Sequence, residues 1–445
     1  MGRRHEVNFV GRQRLVIVFA REPIFDLQQR LFAYQLVFRD GEQGALPEDF
    51  STAHIDTEGN TELISNTEKR EQARDADTPS AGSIGLNELL SGFTSVVSVS
   101  KHSIEQGLPE DFTPQDTILE IDNFDESDLD FISTLKSLRS AGFRIALHNR
   151  QSLSLVSLTL ADYLKIDTNK ISLKEFERLR LTAAEHNIQT IATKISDADQ
   201  YRRCVNAGFH YFQGYFFLRR AHNNSDDLPA NKLSLLQLLA QTADDSIDMD
   251  AIRTTFEHDA TLSYLLMRFI NNPLINKSHK ITSIKHALTY LGEVMLRKFA
   301  AIISIAQLNQ DNVNELLQVS LVRAKYCEIL QGDSDNKQDA MSAFMTGLFS
   351  LIDVILDRDM ESLLTQIQIS SDIQQALVAR EGRFFPMIGS IRALESSSWL
   401  QFKAFAKDLS LEEETLQSYY VEAVKWNNAL QQGDSDMFPR AKPKG

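Results

Sequence analysis

From about residue 80 to residue 218, short strand-like runs alternate with helix-like ones, and this alternation narrows the possible folds more than any other feature. The strand candidates are Thr94–Val99, Ile118–Ile121, Phe143–Leu147, Tyr163–Ile166, Gln189–Thr193 and Tyr211–Phe217. They are dense in the branched and aromatic side chains that suit a pleated surface. Amphipathic stretches such as Asp130–Ala141 and Leu173–His186 lie between several of them. Strand and helix alternating over this length reads as an α/β barrel or a doubly wound sheet. Two further β-rich segments come first, Arg14–Ile24 and Arg30–Arg39; the polar turn Asp26-Leu27-Gln28-Gln29 between them predicts a hairpin.

The pattern ends at Ala221–Pro229, a polar stretch with Asn223, Asn224, Ser225, Asp226 and Asp227 that reads as a linker over 221–230. Helical periodicity follows through Lys232–Thr242, Leu262–Asn271, Ile284–Leu308, Asn314–Leu330, Ala340–Leu356 and Glu412–Leu430. An all-α second half is expected over 231–430, with a frayed tail over 431–445. A chain of 445 residues suits two domains, each large enough for its own core. Glu68–Asp77 has almost no apolar face and reads as a solvated helix or loop. The acidic stretch Glu105–Asp130 reads as a solvated rim, with a partner-docking patch as the sharper alternative.

Charge and cysteine content exclude several classes. A formal net charge of −15 argues against a general nucleic-acid binder, which would offer phosphates a basic face. Cys204 and Cys327 are far apart and outside any metal spacing, so no disulfide framework or zinc ribbon is expected. No apolar run approaches the roughly 20 residues that span a bilayer, and Met1-Gly2-Arg3-Arg4-His5 lacks a signal-peptide core. The expected location is cytoplasmic. No phosphate-binding P-loop, nucleophile elbow or dinucleotide fingerprint is present.

Seven segments carry a family likeness. In the first half they are Ala20–Asp26, Phe32–Arg39, Tyr163-Leu164-Lys165-Ile166-Asp167 and Gly208–Phe217. In the second they are Asp259–Leu266, Ile284-Lys285-His286-Ala287-Leu288 and Tyr290-Leu291-Gly292. In their order and spacing, the first half resembles the EAL family of cyclic-di-GMP phosphodiesterases. The second resembles the HDOD domain, a helical relative of HD-GYP hydrolases. The pairing resembles two-domain EAL–HDOD bacterial signalling proteins over nearly the whole chain. It implies an EAL-type (β/α)8 TIM-like barrel over 1–220 followed by an HDOD helical bundle.

The resemblance also implies what chemistry to expect. Family catalysts hold two divalent metals between carboxylates and an asparagine, and the metals activate a water for in-line attack. The first family glutamate falls on Gln35, the asparagine falls near Gly85 and Asn87, and the next glutamate is kept as Glu120. The acidic brace three residues on is Asn123, the paired aspartates fall on His148 and Asn149, and the late glutamate falls on Thr193. Lys165, Gln213 and the phosphate-contacting Arg39 are kept. Of the five metal-site carboxylates only Glu120 remains, so the pocket is expected to be neutral or slightly cationic. Hard divalent cations need those oxygens, and His148 beside Asn149 does not replace the lost charge. No metal or other cofactor is expected. Arg39, Glu120 and Lys165 are expected either to form an ion-pair network in the barrel mouth or, with Gln213, to contact a ligand.

The helical half contains a literal His258-Asp259 dipeptide, read as a helix start with Asp259 as its cap. The family's metal position falls near Ser350-Leu351, which cannot bind an ion, and His286 is expected to be a satisfied packing residue. The expectation is a catalytically inactive signalling adaptor that binds one or more bacterial regulatory proteins in motility, adhesion or biofilm control. The alternatives are a receptor that binds cyclic di-GMP without cleaving it, and a residual phosphodiesterase. No nucleic-acid partner and no membrane insertion are expected.

Overall fold

The branched and aromatic runs do form strands. The computed structural model describes residues 18–40, 44–46, 53–55, 61–63, 89–90, 92–218, 230–243 and 254–432, with short interruptions inside the longer stretches. The strands β1 (Phe19–Asp26) and β2 (Leu31–Phe38) pair antiparallel as the expected hairpin. The Asp26 carboxylate caps its turn, accepting the backbone N–H groups of Gln28 and Arg30. A separate antiparallel pair follows, β3 (Ala53–Ile55) with β4 (Thr61–Leu63). The remaining strands are β5 (Thr94–Ser98), β6 (Thr117–Ile121), β7 (Arg144–His148), β8 (Tyr163–Asp167), β9 (Gln189–Thr193) and β10 (Tyr211–Gln213).

Eight of these close a barrel in the order β1-β10-β9-β8-β7-β6-β5-β2. Pairing from β2 through β5 to β10 is parallel, while β1 runs antiparallel to both neighbours. Helices α1 (Lys101–Gln106), α2 (Leu129–Ser140), α3 (Leu155–Leu160), α4 (Leu173–Glu185) and α5 (Ala198–Ala207) make crossovers. Each begins at a Ser or Asp whose side chain accepts a first-turn N–H; Ser172 and Glu175 complete a reciprocal capping box. The barrel's own core is a small layer of Ile24, Ala33, Val96, Ile118, Ala146, Tyr163 and Ile191, all buried.

The aromatic run Tyr211–Phe217, expected as one strand, breaks after Gln213. Gly214 takes φ +138, and Phe216–Leu218 form a 3₁₀ turn in which Phe216 and Phe217 pack edge-on against Phe25.

The second half is helical: α6 (Ala230–Ala243), α7 (Ala260–Ile270), α8 (Ile284–Leu308), α9 (Asn314–Gln331), α10 (Lys337–Phe349), α11 (Ile352–Leu356), α12 (Met360–Ile367), α13 (Ser371–Gln374), α14 (Phe385–Glu395), α15 (Trp399–Asp408) and α16 (Glu413–Gln432). Several expectations are corrected here. The stretch Ala340–Leu356 is two helices, because Leu351 leaves helical geometry (φ −130, ψ 12). The helix Ile284–Leu308 is kinked at Gly292, whose φ of 65 suits glycine. Ala230 is already helical, although it was expected in the linker. The last helix runs through Gln432 with Gln431 buried, so the tail expected from Gln431 starts later. His286 is exposed rather than packed; its backbone N–H is capped by Ser283. The segments Glu68–Asp77, Ala221–Pro229 and 433–445 lie outside the described residues.

The halves are joined by buried polar contacts. Arg21 donates to the Tyr420 hydroxyl at 3.2 Å and, within the first half, to the Leu89 carbonyl at 2.7 Å, and Tyr34 donates to Glu315 Oε1 at 2.7 Å. Helix α14 packs on β1.

Candidate functional site

Alternation along a strand sends every second side chain to the same face. Two residues beyond the apolar layer, at the end of the barrel where β5 to β10 finish, each strand therefore contributes one polar side chain. Ile24 leads back to Glu22 because β1 is reversed; Ala33 leads to Gln35, Val96 to Ser98 and Ile118 to Glu120. Ala146 leads to His148, Tyr163 to Lys165, Ile191 to Thr193 and Tyr211 to Gln213. All eight line one cavity of about 750 Å³. Functional groups of α/β barrels sit at this end of the strands.

The floor is an interlocked network. The Lys165 ammonium donates to Gln35 Oε1 at 2.6 Å and to Glu120 Oε2 at 2.9 Å. Ser98 donates to the same Glu120 oxygen at 2.7 Å, and His148 Nδ1 lies 2.9 Å from Glu120 Oε1. Lys165 and Glu120 are each 2% exposed. Burial alone would push the Glu120 carboxyl up; the Lys165 charge and the His148 contact outweigh it and hold Glu120 well below the ordinary carboxylate range. Opposite, Gln213 Nε2 donates to Glu22 Oε2 at 2.5 Å, and burial raises the Glu22 carboxyl. At the rim, the exposed Lys194 and Lys170 lie 3.1 and 3.8 Å from the buried Asp167 carboxylate.

Some buried polar atoms of the cavity have no partner among the described residues. They are Thr193 Oγ1, Gln213 Oε1, His148 Nε2 and Asp122 Oδ1, the last 3.7 Å from His148 Nδ1. The cavity wall is completed by Glu395, Ser396 and Ser397 from the end of α14. Among the described residues, no group of three or more His, Cys, Asp or Glu side chains is placed to hold a metal ion.

Comparison with known proteins places both halves. Residues 97–220 match the EAL domain and residues 228–386 match the HDOD domain. The chain is an EAL–HDOD protein. It is 27% identical over 424 residues to the uncharacterized protein YuxH of Bacillus subtilis, covering 93% of this chain and 98% of YuxH. It is 25% identical over 418 residues to the cyclic di-GMP phosphodiesterase CdgJ of Vibrio cholerae, covering 92% of each. Among solved structures, the manganese/cyclic-di-GMP complex of Klebsiella pneumoniae BlrP1 overlaps 48% of this chain at 15% identity and a TM-score of 0.32. The chain spans 57% of that structure's length.

Within the EAL barrel, Gln35, Glu120, His148, Lys165, Thr193 and Gln213 share the mouth, as their register requires. Asn123, Asn149, Gly85 and Asn87 lie outside the described residues. Arg39 stands apart from the Glu120–Lys165 pair with which it was grouped. It bridges Asp40 and, at 2.9 Å, Glu413 in the first turn of α16, where the helix N-terminus favours a carboxylate. Glu22, Asp122 and Glu395, which were not expected in the mouth, join Glu120, Lys165, Lys170 and Lys194 there, with Glu395 paired to Arg323. Sequence reasoning missed Glu22, though its position two residues from Ile24 on a strand could have revealed it. Nothing local to Glu395 signals its place there.

In the HDOD half, Ser350 and Leu351 are buried. Arg323 Nη1 donates to Ser350 Oγ at 3.1 Å, while its Nε and Nη2 grip the Glu395 carboxylate. His258 is exposed and its ring bonds the Thr254 carbonyl; Asp259 lies outside the described residues. Both cysteines are free and buried. Among the described residues, no helix is long and apolar enough to cross a membrane.

Proposed function

We propose that this EAL–HDOD protein acts in cytoplasmic bacterial signalling without cleaving cyclic di-GMP, as an adaptor that binds regulatory proteins. The observation that supports the non-catalytic reading is that Gln35, His148 and Thr193 stand in the barrel mouth at three of the positions where the resemblance implies metal-binding carboxylates. Glu120 accepts from Lys165, Ser98 and His148, so both of its oxygens are engaged. Two divalent cations need several anionic oxygens close together, and three of the positions that would supply them carry an amide, an imidazole and a hydroxyl instead. The residues here do not fit a two-metal centre.

The name of CdgJ makes hydrolysis the reading to test against. Cyclic di-GMP turnover should be absent with Mg²⁺ or Mn²⁺ in excess. Turnover within an order of magnitude of an intact EAL enzyme would overturn the proposal.

A second reading, a receptor that binds a nucleotide without cleaving it, is favoured by the cavity itself. Its size is that of small-molecule sites, and its buried Thr193 and Gln213 present unpartnered atoms. Loss of the paired aspartates at His148 and Asn149 weighs against it. Calorimetry with cyclic di-GMP, with and without Mg²⁺, separates receptor from adaptor.

A further inference from the structure

We infer that the mouth cavity is a site shared by both domains, in which the HDOD half supplies one wall and registers a nucleotide-sized anion bearing N–H donors. The inference rests on the receptor reading and specifies how occupancy would reach the second domain.

Three observations point this way. First, the cavity is composite: Glu395, Ser396 and Ser397 close it from the end of α14, opposite the polar layer of the barrel. Second, that wall is tied to the HDOD interior. Glu395 is held in a fork by Arg323, which also bonds Ser350, and both Arg323 and Glu395 are buried. A ligand pressing on the turn after α14 therefore pushes against a fixed carboxylate rather than a loose loop. Third, Thr193 and Gln213, 3% and 5% exposed, aim atoms without partners into the cavity. Buried polar atoms are nearly always satisfied, so a cluster of exceptions in one cavity marks a place for a ligand.

The chemistry of the lining sets the class. Gln213 Oε1 and Asp122 Oδ1 are acceptors. The depth of the cavity thus calls for N–H donors. The rim carries the exposed ammoniums of Lys170 and Lys194 around the single carboxylate of Asp167, two positive charges against one, which favours an anion there. A nucleotide satisfies both with its base inward and its phosphate outward. Arg39, clamped by Glu413, adds a second tie between the halves, apart from the cavity.

The test uses the full chain with cyclic di-GMP and GMP as probes. Calorimetry compares the wild type with Ser396→Tyr, which narrows the cavity from the HDOD side at an exposed position. Hydrogen exchange follows helix Phe385–Glu395 with and without probe. The expected result is binding of at least one probe, weakened tenfold or more by Ser396→Tyr, together with slowed exchange in Phe385–Glu395. The exchange measurement needs no variant, so misfolding of Ser396→Tyr cannot stand in for a result. Wild-type binding with unchanged exchange in that helix overturns the inference and leaves the receptor reading standing, as does affinity within twofold in Ser396→Tyr. No binding of either probe overturns both.

Discussion

The guanidinium of Arg21 on the first barrel strand donates to the hydroxyl of Tyr420 on the last helix, 3.2 Å away and 399 residues on in sequence. Its charge lies 4.7 Å from the Tyr34 ring centre, and Tyr34 in turn donates to Glu315. Arg21, Tyr34, Glu315 and Tyr420 are all buried. A charged node of this kind is weak as a source of net stability but costly to leave half-made. It makes the relative placement of the two halves a matter of specific chemistry, which a linker of any composition would not provide.

Removing one member should therefore hurt more than removing two. Arg21→Met takes away the nearby positive charge that favours the Glu315 carboxylate and deprives the buried Leu89 carbonyl and Tyr420 hydroxyl of the hydrogen bonds Arg21 donates, so it should cost about 3–5 kcal/mol. Arg21→Met combined with Glu315→Gln should recover much of that loss. Urea unfolding midpoints of the single and double variants check this. A double variant no more stable than Arg21→Met would mean that the two charges do not depend on each other.

The Glu120 network predicts a pH dependence with a definite sign. A carboxyl whose folded pKa is depressed stabilises the protein above its unfolded value, and the contribution fades as pH falls through the folded one. For Glu120 that fading starts near the ordinary carboxylate pKa of about 4.3 and continues well below it. Glu120→Gln leaves Lys165 buried without a counter-charge and should cost about 3–5 kcal/mol at pH 7. The gap between variant and wild type should narrow as the pH is lowered below that range. Chemical unfolding across a pH series measures it, and a gap that widens in acid would contradict the network.

Restoring one carboxylate should not restore a metal site. In Gln35→Glu the new oxygens lie beside the Lys165 ammonium, now 2.6 Å from the Gln35 amide oxygen, and should pair with it. Excess Mg²⁺ or Mn²⁺ should leave the melting temperature unchanged, since an ion that binds the native state stabilises it in proportion to occupancy. A metal-dependent rise, or recovered hydrolysis, would show that two cations can share this floor with Lys165.

The strands were legible because runs of branched and aromatic residues are a strong local signal, and Thr94–Val99, Ile118–Ile121 and Gln189–Thr193 each mark a strand. Glu120 and Thr193 were singled out through the family resemblance, and Ser98 was not singled out at all. What was missed depends on contacts far along the chain. Glu395 reaches the mouth only because α14 packs on β1, and Arg39 turns to Glu413 because the first turn of α16 lies beside it. The break at Leu351 was hidden because apolar periodicity continues across it from Phe349 to Ile352. The stop after Gln213 was hidden for a similar reason, since Tyr215, Phe216 and Phe217 look like more strand. The residue that decides that stop is glycine, and its backbone angle is set by two neighbours.

Gly214 is thus the sharpest local test of how the barrel closes. Its N–H donates to the Pro23 carbonyl at 3.2 Å on one side, while Ile195 N–H donates to the Gln213 carbonyl at 3.1 Å on the other. The chain there holds φ +138, and a Cβ at this position would overlap the Ile195 carbonyl oxygen. Gly214→Ala must therefore bear both an unfavourable backbone region and a collision with backbone that cannot swing aside. Strain of the first kind alone is about 1–3 kcal/mol, so a total loss above about 3 kcal/mol is expected. Gly107→Ala is the control: φ is +95, yet a Cβ there meets nothing within 4 Å, so only the backbone cost applies. Unfolding of both variants should show Gly214→Ala as clearly the more damaging. Because Gln213 is the residue before it, that variant should also loosen the Gln213–Glu22 contact and weaken any ligand held in the mouth. Equal losses from the two substitutions would mean that the strand end can shift away from Ile195, and that Gln213 is not fixed by the closure of the barrel.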